Sequence, residues 1–149
     1  MSSFGGKEIR KFDQAKRMPV PPKFKKGLGD SFIMMKSIHG EPCVMLFPEE
    51  AWEKFRNSIV RSASGERQAK LERRLADITE TVIPDKSGRI TIKEEFMAHA
   101  KLQDEVLAVG LGNRVELWNP DKWAEWNLVS DDDDADLFKD VGYSDEVES

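Results

Sequence analysis

The chain repeats itself, and no other feature limits its fold as strongly. Shifted by 72 residues, FDQAKRMPVPPKF (12–24) lies over PDKSGRITIKEEF (84–96). Asp13 then falls on Asp85, Arg17 on Arg89, Met18 and Val20 on Ile90 and Ile92, and Phe24 on Phe96. A second block, LFPEEAWEKF (46–55), lies over LWNPDKWAEW (117–126) at a shift of 71, setting Trp52 on Trp123 and Phe55 on Trp126. Two blocks at nearly one offset mark a diverged internal duplication. Each half offers only about 50–60 residues of short elements, too few for a stable core of its own. Two copies in one chain therefore predict a pseudo-twofold structure whose halves share one barrel-like core, each half completing the other's sheet.

Local patterns fill in the halves. Each opens with a strand (7–13; 78–84) running into a D-x-x-x-R turn, followed by a short strand (17–20; 89–92). A short helix begins at Pro21-Pro22 in the first half, where proline is tolerated because the first helical N–H groups have no partner, and at Lys93-Glu94 in the second. Next comes a β-hairpin, SFIMMKSI to CVMLF in one half and EVLAVGL to RVELW in the other, with Gly112-Asn113 suited to a tight turn at positive φ. Amphipathic helices then start at Pro48 and Pro120, with Trp52, Phe55 and Ile59 on one face. A further helix, ERQAKLERRLADI, keeps Leu71, Leu75 and Ile78 on one stripe and joins the halves. The resulting divisions are a first half over 6–62, a connecting helix over 63–77, a second half over 78–128 and a tail over 129–149.

The net charge of −5 hides an asymmetry. Residues 1–29 carry +6, residues 130–149 carry −8, and the middle of the chain is close to neutral at −3. No run of 18 apolar residues exists, so no membrane-spanning helix is expected. MSSFGGKEIRKF lacks the apolar region of a secretory signal. The single Cys43 lies in an apolar run and reads as a small buried hydrophobe. The composition of SDDDDADLFKDVGYSDEVES is that of a disordered segment.

Enzyme chemistry finds little support. His39 and His99 read as turn or surface histidines, since neither has a Cys, His or carboxylate at metal-ligand spacing. GLGN (110–113) is a hairpin turn without the helix that a phosphate site needs. Asp13 and Asp85 each have an arginine four residues on, which favours the ionised carboxylate, the wrong direction for a general acid. No cofactor, metal or small-molecule substrate is expected.

Nucleic-acid binding is better supported. An Asp at the corner of a turn accepts backbone N–H bonds and also holds the arginine four residues later, aiming its guanidinium. An aimed planar donor is what reading the O6 and N7 edge of guanine requires. Two such turns would present Arg17 and Arg89 on one face, oriented by Asp13, Asp85 and Gly88. Lys7, Arg10, Lys11, Lys16 and Lys86 around them suit phosphate contacts, as do Lys23, Lys25 and Lys26. The basic residues of 67–74 alternate with Glu66, Glu72 and Asp77, and pairing within the helix explains them at least as well.

The doubled D-x-x-x-R, its second copy reading DKSGR, with a short apolar strand and a helix after each copy and with the aromatic helices PEEAWEKF and PDKWAEW, resembles the MraZ family. The resemblance covers roughly residues 6–128. It implies an α+β fold of two tandem swapped-hairpin, AbrB-like halves that form one pseudo-twofold β-barrel with flanking helices. It also implies a cytoplasmic, nucleoid-associated transcription factor. Such a protein represses the division and cell-wall gene cluster containing its own gene, and it assembles as a ring of subunits on tandem repeats in double-stranded promoter DNA. The family's DNA-facing turns carry over to Asp13 and Arg17 and to Asp85 and Arg89. One departure stands out: Lys16 occupies the place where the family has Gly, a place held by Gly88 in the second turn. If that position needs positive φ, Lys16 is strained or the turn is altered. The acidic tail has no family counterpart. It is either a solubilising extension or a DNA mimic that folds back on the basic face. The alternative to a promoter-binding protein is an antitoxin-like interaction module of the same fold, for which LFKDVGY (137–143) is the candidate contact segment.

Overall fold

A computed structural model of the chain describes residues 3–143. Its strands are β1 (Lys7–Lys11), β2 (Arg17–Pro19), β3 (Phe32–Lys36), β4 (Cys43–Pro48), β5 (Thr79–Val82), β6 (Arg89–Thr91), β7 (Glu105–Gly110) and β8 (Val115–Trp118). Its helices are α1 (Pro22–Leu28), α2 (Glu49–Arg61), α3 (Gly65–Ile78), α4 (Glu94–Ala100), α5 (Pro120–Trp126) and α6 (Asp131–Phe138). The architecture is α+β, as expected, and the repeat is visible as β1–β2–α1–β3–β4–α2 followed by β5–β6–α4–β7–β8–α5.

Six strands form one antiparallel sheet in the order β1-β7-β8-β4-β3-β5, and β2 pairs with β6 as a separate ribbon. The halves interlock. The β7–β8 hairpin of the second half takes β1 of the first as its neighbour, with Ile9 opposite Leu107. The β3–β4 hairpin of the first takes β5 of the second, with Ile33 opposite Thr81. The expected closed barrel is not formed among the described residues: β1 and β5 are the two edges of an open sheet. At each edge the chain leaves through its Asp turn and returns as β2 or β6. Those two strands pair with each other across one face instead of extending the sheet.

Alternation along the strands sorts their side chains into two cores. On the ribbon side, Phe32, Met34, Val44, Leu46, Val106, Ala108 and Leu117 pack with Met18 and Ile90 of the ribbon, Phe24 of α1 and Phe96 of α4. On the other side, Met35, Cys43, Met45, Phe47 and Trp118 pack against Trp52 of α2 and against Leu75 and Ile78 of α3. Phe55, Ile59 and Trp123 complete this second core, as their helical spacing predicts. Cys43 is fully buried, and burial pushes its thiol pKa up.

The tail departs from the expectation of disorder over Asp131–Phe138, which is helical. Ser130 caps the first turn by accepting from the Asp133 N–H at 3.1 Å, and four consecutive Asp residues sit at the positive end of the helix dipole. No residue of α6 is buried. The end of the tail, 144–149, lies outside the described residues.

Candidate nucleic-acid interface

The two Asp turns are built alike. Asp13 Oδ1 accepts from the backbone N–H groups of Ala15 (2.8 Å) and Arg17 (2.9 Å), while Oδ2 accepts from Arg17 Nε at 2.9 Å. Asp85 Oδ1 accepts from the N–H groups of Ser87 (2.8 Å) and Arg89 (2.9 Å), and Oδ2 from Arg89 Nε at 3.2 Å. One carboxylate thus closes the turn with one oxygen and holds the guanidinium with the other.

The ribbon brings the turns together, with Arg17 opposite Thr91 and Pro19 opposite Arg89. Each arginine thereby reaches the other half's aspartate as well: Arg17 Nη1 lies 3.8 Å from Asp85 Oδ2, and Arg89 Nη1 lies 3.6 Å from Asp13 Oδ2. The result is a charge quartet in which two arginines and two aspartates fix one another. All four side chains remain about one-third exposed, between 33% and 37%. That exposure leaves part of each guanidinium open to an external acceptor. Sequence reasoning identified each Asp–Arg pair but missed the crossed contacts, although the duplication implied that the two turns would meet.

Hydrogen bonding to the charged form holds both aspartates below their ordinary pKa. The Arg17 backbone N–H is the largest cause at Asp13, and the Arg89 backbone N–H at Asp85. A depressed folded-state pKa contributes stability that is present above the ordinary Asp value of 3.8 and is lost as pH falls through the lowered folded value. The double variant Asp13→Asn/Asp85→Asn is therefore expected to lose less stability than the parent between pH 4 and pH 2, as followed by thermal melting. Equal losses in the two proteins would contradict this assignment.

Lys16 and Gly88 occupy equivalent places, and both are left-handed, with φ of 61° and 79°. Both N–H groups donate to the turn's own Asp carbonyl, at 3.1 Å for Lys16 and 2.9 Å for Gly88. Both carbonyls accept across the ribbon, Lys16 O from Ile92 N at 3.2 Å and Gly88 O from Val20 N at 3.0 Å. The turn keeps its shape, and Lys16 carries the strain. A left-handed residue with a Cβ costs roughly 1–2 kcal/mol, partly offset in comparison with glycine by glycine's greater freedom in the unfolded chain. Lys16→Gly is expected to stabilise the fold by about 0.5–1 kcal/mol in urea unfolding, and a destabilisation would show that the Lys16 side chain holds the turn.

Other cations lie around the quartet unevenly. Lys16 and Lys86 are exposed on the turns themselves, and Lys25 of α1 extends to the second turn, where a methyl placed on Gly88 would sit 3.3 Å from its Nζ. Arg10 points to the ribbon side of the sheet and is engaged by Glu8 at 3.2 Å and by the Ile9 carbonyl at 2.7 Å. Lys7 and Lys11 alternate with it and emerge on the opposite face, in register with Val109 and Glu105. The structure therefore groups Arg17, Arg89, Lys16 and Lys86 with Asp13, Asp85 and Gly88, and it sets Lys7 and Lys11 on the other face of the sheet.

The histidines do not form a competing site. His99 is half-buried on α4 rather than at the surface, with Nε2 2.8 Å from Ser37 Oγ, whose hydroxyl donates to the Glu41 carbonyl. Burial, then the nearby Lys36, lowers the His99 pKa. Among the described residues no group of three His, Cys, Asp or Glu could hold a metal ion, and no helix is long and apolar enough to cross a membrane.

Known proteins are similar to this chain in sequence across most of its length. A transcriptional regulator MraZ from Oenococcus oeni is 34% identical over 125 residues, covering 83% of this chain and 85% of that protein. The chain belongs to the MraZ family. The family model for MraZ protein, described as antitoxin-like, matches residues 75–140. The MraZ regulators of Bifidobacterium longum and Alkaliphilus metalliredigens are 31% and 30% identical, covering 88% and 92% of this chain. These MraZ proteins carry the name of a regulator and not of an enzyme.

Proposed function

We propose that the protein is a transcriptional regulator that binds specific double-stranded DNA through the Arg17–Arg89 quartet and represses the division and cell-wall gene cluster that includes its own gene. The quartet is the observation that carries this reading. Two guanidinium groups, each oriented by its own aspartate and braced by the other's, form a rigid pair of donors suited to guanine edges in the major groove. Lys16 and Lys86, on the same turns, supply phosphate contacts that position the protein without selecting sequence. The family name of the relatives supports regulation as the role, and tandem promoter repeats suit a protein assembled from several copies.

Binding to the DNA upstream of its own gene, followed by fluorescence anisotropy at several salt concentrations, tests the reading. Specific DNA should bind more tightly than shuffled DNA at every salt concentration, with log K falling by about 0.9 per phosphate neutralised. Lys86→Ala should weaken both DNAs alike and flatten the slope by about one such unit. Binding to neither DNA by the parent protein would instead favour the antitoxin-like interaction module.

A further inference from the structure

The two repeats disagree at one position of the second core. Under the 71-residue shift Glu116 falls on Met45, and the two stand directly opposite each other where β4 pairs with β8. Met45 packs in the core with Phe47, as alternation along an apolar strand requires. Glu116 is only 6% exposed, yet it carries a carboxylate. Trp118 Nε1 donates to its Oε1 at 2.8 Å, and Arg114 donates to its Oε2 through Nε at 3.1 Å and Nη2 at 3.0 Å. Taking a carboxylate out of water is expensive even when it is paired, and an apolar residue of similar volume serves a core at least as well. The first repeat shows that the position accepts one.

Beside Glu116 lies a cavity of about 220 Å³, between the β3–β4 turn, α2 and the β7–β8 turn. Its apolar lining is Ile38, Met45 and the rings of Phe47 and Phe55, which stack with centroids 5.0 Å apart. Its charged lining is Glu41, Arg114 and Glu116. Arg114 is taken up by Glu116 and, through Nη1, by Asn113 Oδ1 at 3.2 Å. Glu41 is held in place by the His39 N–H, which donates to its Oε1 at 2.9 Å. Two carboxylates against one guanidinium leave the cavity with one negative charge in excess, and aromatic faces likewise favour a cation. A cavity of about 150 Å³ accommodates benzene, so the space here holds one ring with a short chain.

We propose that this cavity binds a small organic amine, an ammonium group on a short chain that carries one aromatic ring. The ring packs among Ile38, Met45, Phe47 and Phe55, and the ammonium is received by Glu116 and Glu41. Met45 and Phe47 belong to the second core, on the opposite side of the sheet from the ribbon. Binding there neither occupies the quartet nor depends on DNA.

Phenethylamine titrated into the full-length protein at neutral pH, followed by calorimetry, tests this. It should bind saturably, with one molecule per chain. Phenethyl alcohol and phenylacetate keep the ring without the cation, and butylamine keeps the cation without the ring; each should bind about tenfold more weakly or worse. Glu116→Gln retains an acceptor for Trp118 and should lower phenethylamine affinity about tenfold while circular dichroism shows the parent fold. Glu41→Gln, on the β3–β4 turn, should lower it several-fold, and it decides alone if Glu116→Gln does not fold. Affinity for phenethyl alcohol should be the same in the parent and in both variants, a result that a merely structural role for Glu116 does not predict. The proposal is overturned if phenethylamine does not bind, or if any of the three comparison compounds binds as tightly. It is also overturned if the folded variants keep the parent affinity for phenethylamine.

Discussion

Arg17→Ala is expected to weaken binding to the preferred DNA by about 1–3 kcal/mol and to relax discrimination at a single base position. The loss should be concentrated in specific binding, because the phosphate-contacting lysines remain. Arg17→Lys should recover little, since a point charge cannot reproduce the two-pronged donor set that the aspartate orients. Asp13→Ala should reproduce part of the loss without touching DNA, because Arg17 Nε is then released from its 2.9 Å partner. The quartet also makes the two turns interdependent. Asp13 lies 3.6 Å from Arg89, so its removal should disturb the second half's reading as well. A double-mutant cycle on Asp13 and Arg89 should accordingly be non-additive. Unchanged promoter binding by Arg17→Ala would remove the turn from the DNA interface, and an additive cycle would show that the crossed contacts carry no energy. Fold stability should change little in the Arg17 variants, because the pairs are partly solvated, whereas Asp13→Ala also removes the acceptor for two backbone N–H groups of its turn.

The largest effect on stability is expected from the paired phenylalanines of the short helices. Phe24 and Phe96 are 0% and 1% exposed and belong to one continuous core. Truncating either to alanine should cost about 3–5 kcal/mol through lost burial and the cavity left behind. Both substitutions should destabilise the whole chain in a single transition, although they lie in different halves. The pairing of β1 with β7 and of β5 with β3 leaves neither half a complete sheet of its own. Urea unfolding followed by tryptophan fluorescence and by circular dichroism should give coincident curves. Two separated transitions in Phe24→Ala would show that the halves unfold independently.

Much of this was legible in the residues because the chain states its plan twice. Either Asp turn alone is commonplace; two at one offset predicted the quartet's members and the exchange between halves. What the residues left open was set by tertiary contacts. Alternation in KEIRK separates Lys7, Ile9 and Lys11 from Glu8 and Arg10, but which set lies on the ribbon side depends on the register with β7. Closure into a barrel was expected because the halves share one core. The ribbon satisfies the strands after each turn locally, so the sheet has no need to close. Lys16 shows the reverse case: the glycine at the matching place in the repeat predicted a left-handed residue, and ribbon pairing on both sides holds the lysine there. In the tail, composition argued for disorder, while the local N-cap at Ser130 and the dipole argued for a helix, and over Asp131–Phe138 the local terms prevailed.

The exchange of edge strands has a consequence for synthesis. Lys7 finds its pairing partner in Val109, so β1 emerges from the ribosome long before the strand that will receive it. Until β7 appears, the β3–β4 hairpin and the aromatic face of α2 must persist without a completed sheet. Folding is therefore largely post-translational, and the nascent first half carries unpaired strand edges for most of the time it takes to make the chain.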